Sequence, residues 1–166
     1  MLKTHQVSRE TLKIDSWRTA SLVMALTAIV GLALPALGDD GRPFRGHADE
    51  MIIDAKPVAD GFLVTATGAG QATHLGRFTR LGRVVVHADG SAEGSVVFTA
   101  ANGDQLFATI KGEPIPGTTV PTVGGTYTFT GGTGRFSDAS GVAHFVGVIA
   151  SDGIHITVEF EGTIQY

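Results

Sequence analysis

The stretch GGTGRFSDASG, residues 131–141, decides the fold of this chain, because it places four glycines among eleven residues between two strand-like segments. Residues 126–130 precede it and residues 142–149 follow it, and both segments are rich in β-branched and aromatic side chains. Glycine at such a junction permits positive φ angles or a close approach of two backbones. We therefore predict a corner between two β-strands, at which Phe129 and Phe136 turn toward the core.

The last two strand-like segments predict a β-hairpin with a definite register. Apolar and polar side chains alternate from Ile154 to the C-terminus, which is typical of a strand with one buried face. A two-residue turn at Asp152-Gly153 sets Phe145 opposite Phe160, so that apolar side chains meet. On the other face, the same register sets His144 opposite Glu161.

Similar turn signals recur along the chain. Each has the residue types that hairpin turns with positive φ angles require: Asp60-Gly61, Asp89-Gly90, Asn102-Gly103 and Asp152-Gly153. At Asn102-Gly103, a two-residue turn sets Phe98 opposite Phe107 and Val97 opposite Ala108. The recurrence of these signals between alternating segments predicts an antiparallel meander.

The alternation predicts eight or nine strands and one long loop. The strands are predicted near residues 45–54, 62–69, 72–79, 83–87, 94–100, 105–111, 126–130, 142–150 and 154–166, and the loop at residues 113–125. So many strands leave exposed edges unless the sheet closes on itself. We therefore predict an all-β fold, a small closed antiparallel β-barrel of about eight strands.

The N-terminal segment predicts a secretory signal peptide. Residues 21–38 form an uncharged apolar run that follows four basic residues, and Ala36 and Gly38 provide small side chains for cleavage before Asp39. The alternative is an uncleaved anchor helix, for which 18 residues are near the minimum of about 17. We predict a signal peptide at residues 1–38, a single barrel domain at residues 39–166, a secreted protein (periplasmic or extracellular), and no stable membrane insertion after cleavage.

The composition of this domain limits the kinds of partner and chemistry that are consistent with the sequence. From Asp39 onward there are 8 Lys plus Arg and 14 Asp plus Glu, which gives a net charge of −6. An acidic surface argues against a nucleic-acid partner. The chain has no cysteine, so disulfides and thiolate chemistry are excluded.

The glycine-rich corner also resembles a segment of allene oxide cyclases and dirigent proteins. The matching positions are Gly131, Gly132, Thr133, Gly134, Phe136, Ala139 and Gly141. The resemblance covers residues 127–146 and implies a calycin-like, eight-stranded barrel with an internal cavity, usually a homotrimer. It further implies either the cyclisation of an unsaturated fatty-acid epoxide or the guidance of phenoxy-radical coupling, without a cofactor. The matched residues form a corner of the barrel and carry no catalytic role.

Two pairs of side chains are candidates for chemistry. His144 and Glu161 form a pair that could transfer protons if their face lines the cavity, or an ordinary cross-strand pair if it faces solvent. His74 and Arg77 could contact an anionic ligand at a barrel mouth, or could be two exposed groups in a turn. Asp104 could act as a general base at a barrel end, but it also fits the cap of a hairpin turn.

No metal site or cofactor is predicted. The histidines lack the spacing of a metal motif, and the pair His47 and Asp49 alone does not make a site. The glycine-rich corner lacks the lysine and the helix of a phosphate-binding loop.

Three functions are consistent with the sequence. The first is a secreted barrel that binds an apolar or aromatic small molecule or serves as a structural module. The second is an isomerase or coupling guide like the families above, which requires a carboxylate or tyrosine inside the cavity. The third is a small outer-membrane barrel, since the chain ends in an alternating strand with a terminal Tyr166.

Overall fold

The structure is a computed structural model that describes residues 41–166, and the predicted signal peptide at residues 1–38 lies outside the described residues. The described residues form eight strands: β1 (Arg42–Val58), β2 (Gly61–Ala72), β3 (Gly76–His87), β4 (Ala92–Ala100), β5 (Gln105–Pro114), β6 (Thr122–Gly132), β7 (Ser140–Ile149) and β8 (His155–Gln165). A short 3-10 helix, Gly134–Phe136, lies between β6 and β7.

The strands form a closed antiparallel barrel. Each strand pairs with its neighbours in sequence, and β8 pairs with β1. Closure provides hydrogen-bond partners for the backbone N–H and C=O groups that would be unpaired at the edges of an open sheet. The predicted all-β fold and eight-stranded closed barrel are therefore confirmed.

Aromatic side chains fill much of the barrel interior. Seven of them are buried on inward-facing strand positions: Phe44, Phe78, Phe98, Tyr127, Phe129, Phe145 and Phe160. They pack edge to face or stacked, as Phe98 and Tyr127 do with ring centroids 5.6 Å apart. Burial of each such side chain contributes about 2–3 kcal/mol to folding.

The two ends of the barrel differ. At one end, the connections after β2 and β6 fold inward and contribute the buried Leu75, Phe136 and Ala139; we call it the sealed end. At the other end, the short connections after β1, β3 and β7 and the loop at residues 115–121 leave the inward-facing positions half-exposed. We call this the open end.

The predicted division of residues 72–87 into two strands was wrong. Residues 72–79 and 83–87 are not two strands: β2 continues through Ala72, residues 73–75 form the turn, and β3 runs unbroken from Gly76 to His87. The predicted break lay where Arg80 and Gly82 interrupt the apolar alternation, and both of these residues face inward. The predicted loop at residues 113–125 is also shorter, because the loop between β5 and β6 comprises only residues 115–121.

One predicted hairpin register is confirmed and the other is wrong. Between β7 and β8, Phe145 pairs with Phe160 as expected. Between β4 and β5, Phe98 pairs with Leu106 instead of Phe107, and Val97 pairs with Phe107. The turn there has three residues rather than two, because the Ala100 backbone N–H donates to the Asp104 carbonyl at 2.9 Å. Gly103 takes the positive φ angle of +90° that such a loop requires.

The predicted corner at residues 131–141 is confirmed. Gly131 has a φ angle of +114° and Gly134 one of +57°, both in the region that favours glycine. Phe129 and Phe136 are 3% and 0% exposed, so both side chains turn toward the core. The corner thereby closes the sealed end of the barrel.

Candidate functional site

Three polar side chains lie within the apolar barrel. Glu50 on β1, Arg80 on β3 and Tyr127 on β6 occupy inward-facing positions and are 5%, 6% and 1% exposed. Within residues 41–166, Glu50 and Arg80 are the only buried charged residues. They form the candidate site, because charges are rarely buried in an apolar interior without a partner or a purpose.

Gly68 on β2 allows the two charged side chains to meet. It pairs with Glu50 on one side and with Arg80 on the other. A Cβ atom at this position would lie 2.7 Å from Glu50 Cγ and 2.5 Å from the Asp49 carbonyl oxygen. The missing side chain on the middle strand therefore leaves the space across which Glu50 and Arg80 contact each other.

The Arg80 guanidinium has three kinds of neighbour. Its Nη1 forms an ion pair with Glu50 Oε1. Its Cζ lies 5.3 Å from the ring centroid of Tyr127 and 5.8 Å from that of Phe98, within cation–π range. Its Nε is buried without a hydrogen-bond partner in the described part of the chain. The site therefore holds a donor that the barrel itself does not satisfy.

Burial dominates the electrostatics of the site. Burial lowers the pKa of the Arg80 guanidinium, because an apolar surrounding disfavours the charged form. Burial also raises the pKa of Tyr127, and the nearby positive charge of Arg80 opposes that rise. Tyr127 is therefore a neutral phenol and a hydrogen-bond donor at physiological pH. Its hydroxyl forms no hydrogen bond with any residue of the described chain.

The open end of the barrel gives the site an apolar wall. Five inward-facing aliphatic side chains on this side of the site are only half-buried, and with the three polar side chains they define what we call the bowl: Val64, Val84, Val86, Val123 and Ile156. Exposed apolar side chains also surround its rim, with Val58 42%, Phe62 54% and Ile154 45% exposed. A Cβ atom on Gly82, one inward position from Arg80 toward this end, would have its nearest neighbour, Arg80 Nη2, at 3.8 Å. A Cβ atom there would make only ordinary van der Waals contacts, so the space beside the guanidinium on its open-end side is the size of a methyl group.

The sequence-predicted pair His144 and Glu161 lies elsewhere. The predicted pairing of the two residues is confirmed, but both side chains are exposed on the outer wall. They line a surface groove of about 430 Å³ together with Arg45 and His47. Glu161 lies 4.0 Å from the Arg45 guanidinium in a solvent-exposed ion pair. The condition for their proposed proton transfer, a position inside the cavity, is therefore not met.

His74 and Arg77 are not brought together into a ligand site. His74 lies in the turn at the sealed end with a φ angle of +66°. Its ring nitrogens lie 3.1 Å from the Pro43 carbonyl oxygen and 3.1 Å from the Tyr166 hydroxyl. Both nitrogens of the ring are thus occupied by contacts that hold the end of the barrel closed, and Arg77 is exposed on the outer wall.

Asp104 has the structural role of a turn residue. Its carboxylate accepts a hydrogen bond from the Asn102 side-chain amide at 2.8 Å and lies 3.8 Å from Arg135 Nε. Among residues 41–166, no group of three His, Cys, Asp or Glu side chains is arranged to hold a metal ion. The same residues include no helix that is long and apolar enough to cross a membrane.

Sequence reasoning missed the site, although a signal for it exists. His47 and Asp49 share one face of β1, and the same alternation places Glu50 on the opposite, apolar face with Phe44 and Ala48. Arg80 likewise shares a face with Phe78 and Val84. A charged residue on the apolar face of a strand is detectable in the sequence. Its partner on another strand can be identified only when the strand order of the barrel is known.

Comparison with known proteins adds no relative: no family model, no curated protein and no solved structure matches this chain.

Proposed function

We propose that this protein binds an apolar or aromatic small molecule in the bowl, with Glu50, Arg80 and Tyr127 contacting a polar group of that molecule. The observation that carries the proposal is the ion pair of Glu50 and Arg80, enclosed in an otherwise apolar barrel beneath a half-exposed aliphatic wall. Binding sites in barrels combine such walls with a few converging polar groups.

Stability alone does not account for the buried pair. Removing two charges from water costs several kcal/mol per ion, and apolar replacements of such pairs are often neutral or stabilising. The unpartnered Nε of Arg80 makes the pair less favourable still, because a buried donor without an acceptor costs about 1–3 kcal/mol. A ligand that accepts this hydrogen bond would recover part of that cost, which supports a role in binding.

The proposal is tested by blocking the bowl. Val84 faces inward and packs against the core, whereas its neighbour Val85 lines a groove on the outer wall. We expect Val84→Trp to weaken the binding of acetophenone or toluene, measured by calorimetry, by at least about tenfold, ~1.4 kcal/mol. Val85→Trp, the matched control, should leave affinity unchanged. Equal losses of affinity in the two variants would contradict the proposal. So would a wild-type protein that binds neither aromatic nor aliphatic probes.

A second candidate is a cofactor-independent isomerase that resembles the allene oxide cyclases, or a dirigent-like guide of radical coupling. It is favoured by the presence of a carboxylate, Glu50, and a phenol, Tyr127, inside the barrel. In an isomerisation, Glu50 would accept a proton and Tyr127 would donate one. Turnover of an unsaturated epoxide that disappears in both Glu50→Gln and Tyr127→Phe would support this function. Turnover that persists in Glu50→Gln would exclude this function.

The outer face of β8 supports an aqueous surrounding over an outer-membrane location, whereas the outer face of β7 carries the exposed Val142, Val146 and Val148. On β8 the outward-facing side chains are polar and the inward-facing ones apolar, for example Glu159 and Glu161 against Val158 and Phe160. A membrane barrel has the reverse arrangement, with apolar side chains facing lipid. Recovery of the protein only in detergent would contradict this placement.

Secretion and trimer formation are further parts of the proposal. Cleavage before Asp39 predicts that the mature protein lacks residues 1–38, which N-terminal sequencing of the secreted protein checks. Light scattering checks the homotrimer that the family resemblance implies, and a monomeric mass would contradict it.

A further inference from the structure

We infer that the polar group recognised by Glu50, Arg80 and Tyr127 is an uncharged hydrogen-bond acceptor, such as the carbonyl oxygen of a ketone or ester, and not a carboxylate. This inference rests on the proposed binding function and specifies the chemistry of the ligand. It follows from the donors and the charges that the bowl presents, because the one buried acceptor without a hydrogen bond among the described residues, Glu50 Oε1, is already ion-paired with Arg80.

The site offers two donors without acceptors. Arg80 Nε–H is buried and forms no hydrogen bond in the described part of the chain. The Tyr127 hydroxyl is kept protonated by burial and is likewise without a hydrogen bond there. The two groups come from β3 and β6, and the guanidinium carbon lies 5.3 Å from the tyrosine ring centroid. One ligand oxygen with two lone pairs suits two such donors.

The charge of the site is already balanced. The positive charge of Arg80 is paired with Glu50, and no other charged residue of the described chain is buried. A ligand carboxylate would bring a second negative charge beside Glu50, into surroundings where solvent cannot screen it. A neutral acceptor takes the same hydrogen bonds without this penalty. The pair therefore discriminates by charge as well as by hydrogen bonding.

Two matched ligand series test the inference with the purified protein. One comprises methyl decanoate, decanoate and decane, and the other acetophenone, benzoate and toluene. Within each series the apolar part is similar, and only the polar group changes from neutral carbonyl to carboxylate to none. We expect the carbonyl compound of at least one series to bind at least about tenfold more tightly than its carboxylate, and more tightly than the hydrocarbon.

The outcomes separate this inference from the function on which it rests. Carboxylates that bind as tightly as their carbonyl partners, or more tightly, would overturn the inference and leave ligand binding intact. Hydrocarbons that bind as well as carbonyl compounds would overturn the role of the donors. No binding by any of the six compounds would overturn the proposed function itself.

A change of site charge should shift the selectivity toward the carboxylate. Glu50→Gln leaves the positive charge of Arg80 without its partner, so the ratio of carbonyl to carboxylate affinity should shift at least about tenfold toward the carboxylate. An unchanged ratio would overturn the charge argument. If Glu50→Gln does not fold, the double variant Glu50→Met/Arg80→Met provides the second measurement. Because Tyr127 remains as a donor, its preference for the carbonyl compound over the hydrocarbon should be smaller than that of the wild type but not zero, and an undiminished preference would contradict the inference.

Discussion

The buried pair makes a quantitative prediction about stability. Glu50 and Arg80 have side chains that are 4% and 5% exposed, so water does not screen a charge that loses its partner. Glu50→Gln should therefore lower the free energy of unfolding by about 3–5 kcal/mol, which is a large part of the 5–15 kcal/mol typical of a domain. For a domain of this size, that corresponds to a fall in Tm of roughly 10 °C or more.

The same barrel supplies a control for this measurement. The ion pair of Arg45 and Glu161 joins two neighbouring strands, but its side chains are 73% and 76% exposed. Glu161→Gln should therefore cost less than about 1 kcal/mol. Urea unfolding of both variants gives the comparison directly. If Glu50→Gln proves no more destabilising than Glu161→Gln, the site is not the desolvated pair described above.

A double-mutant cycle separates the interaction energy of Glu50 and Arg80 from the effect of losing each side chain alone. Arg80→Met should cost less than Glu50→Gln, because a lone carboxyl group can take up a proton, whereas a guanidinium keeps its charge in proteins. Glu50→Met/Arg80→Met should be about as stable as the wild type, or more stable by up to ~4 kcal/mol. A double variant less stable than either single variant would refute the reasoning that the pair is kept for binding.

Three further predictions concern single positions. Gly68→Ala should destabilise the barrel by about 1–3 kcal/mol, because its Cβ atom would lie 2.5 Å from a backbone oxygen of the paired strand. Gly82→Ala should be neutral or stabilising, because no atom would lie nearer than 3.8 Å to its Cβ atom. Thermal unfolding of the two variants compares these effects. Tyr127→Phe should leave the Tm nearly unchanged but weaken the binding of acetophenone about two- to tenfold, and a large loss of stability would instead indicate a structural hydroxyl. A hydrogen bond from the His155 side chain, together with backbone N–H groups, lowers the pKa of Asp152 well below its usual range. Since the folded-state pKa lies below the unfolded one, the stabilisation by this carboxylate is present at neutral pH and is lost as the pH falls below about 4. The Tm difference between the wild type and Asp152→Asn should therefore shrink on acidification, and a constant difference would contradict the assignment.

The fold was predictable from the sequence because strand alternation and turn residues are local signals. The hairpin of β7 and β8 was placed in its correct register, since only one register joins Phe145 to Phe160 across an apolar face. The corner at residues 131–141 was likewise readable, because glycines with positive φ angles are needed there. The register of β4 and β5 was missed by one residue, since an Asn-Gly pair suits both two- and three-residue loops.

The site was not predictable by the same means. Arg80 appeared as a break between two strands, because a charged side chain interrupts the apolar alternation that marks a strand. Its partner Glu50 lies two strands away, and the space between them depends on Gly68 of the intervening strand. Such a contact exists only after the barrel is assembled. The pair that local pattern did identify, His144 and Glu161, is a solvent-exposed cross-strand pair.

The most direct test of a ligand site in the bowl is to map the binding of acetophenone by NMR on isotopically labelled protein. We expect shifts in the Arg80 Nε–H resonance and in the methyl resonances of Val84 and Ile156. Side chains at the sealed end, such as Phe136, should not respond. Shifts confined to the outer wall around His47, or an unperturbed Arg80 resonance at saturating ligand, would contradict the account.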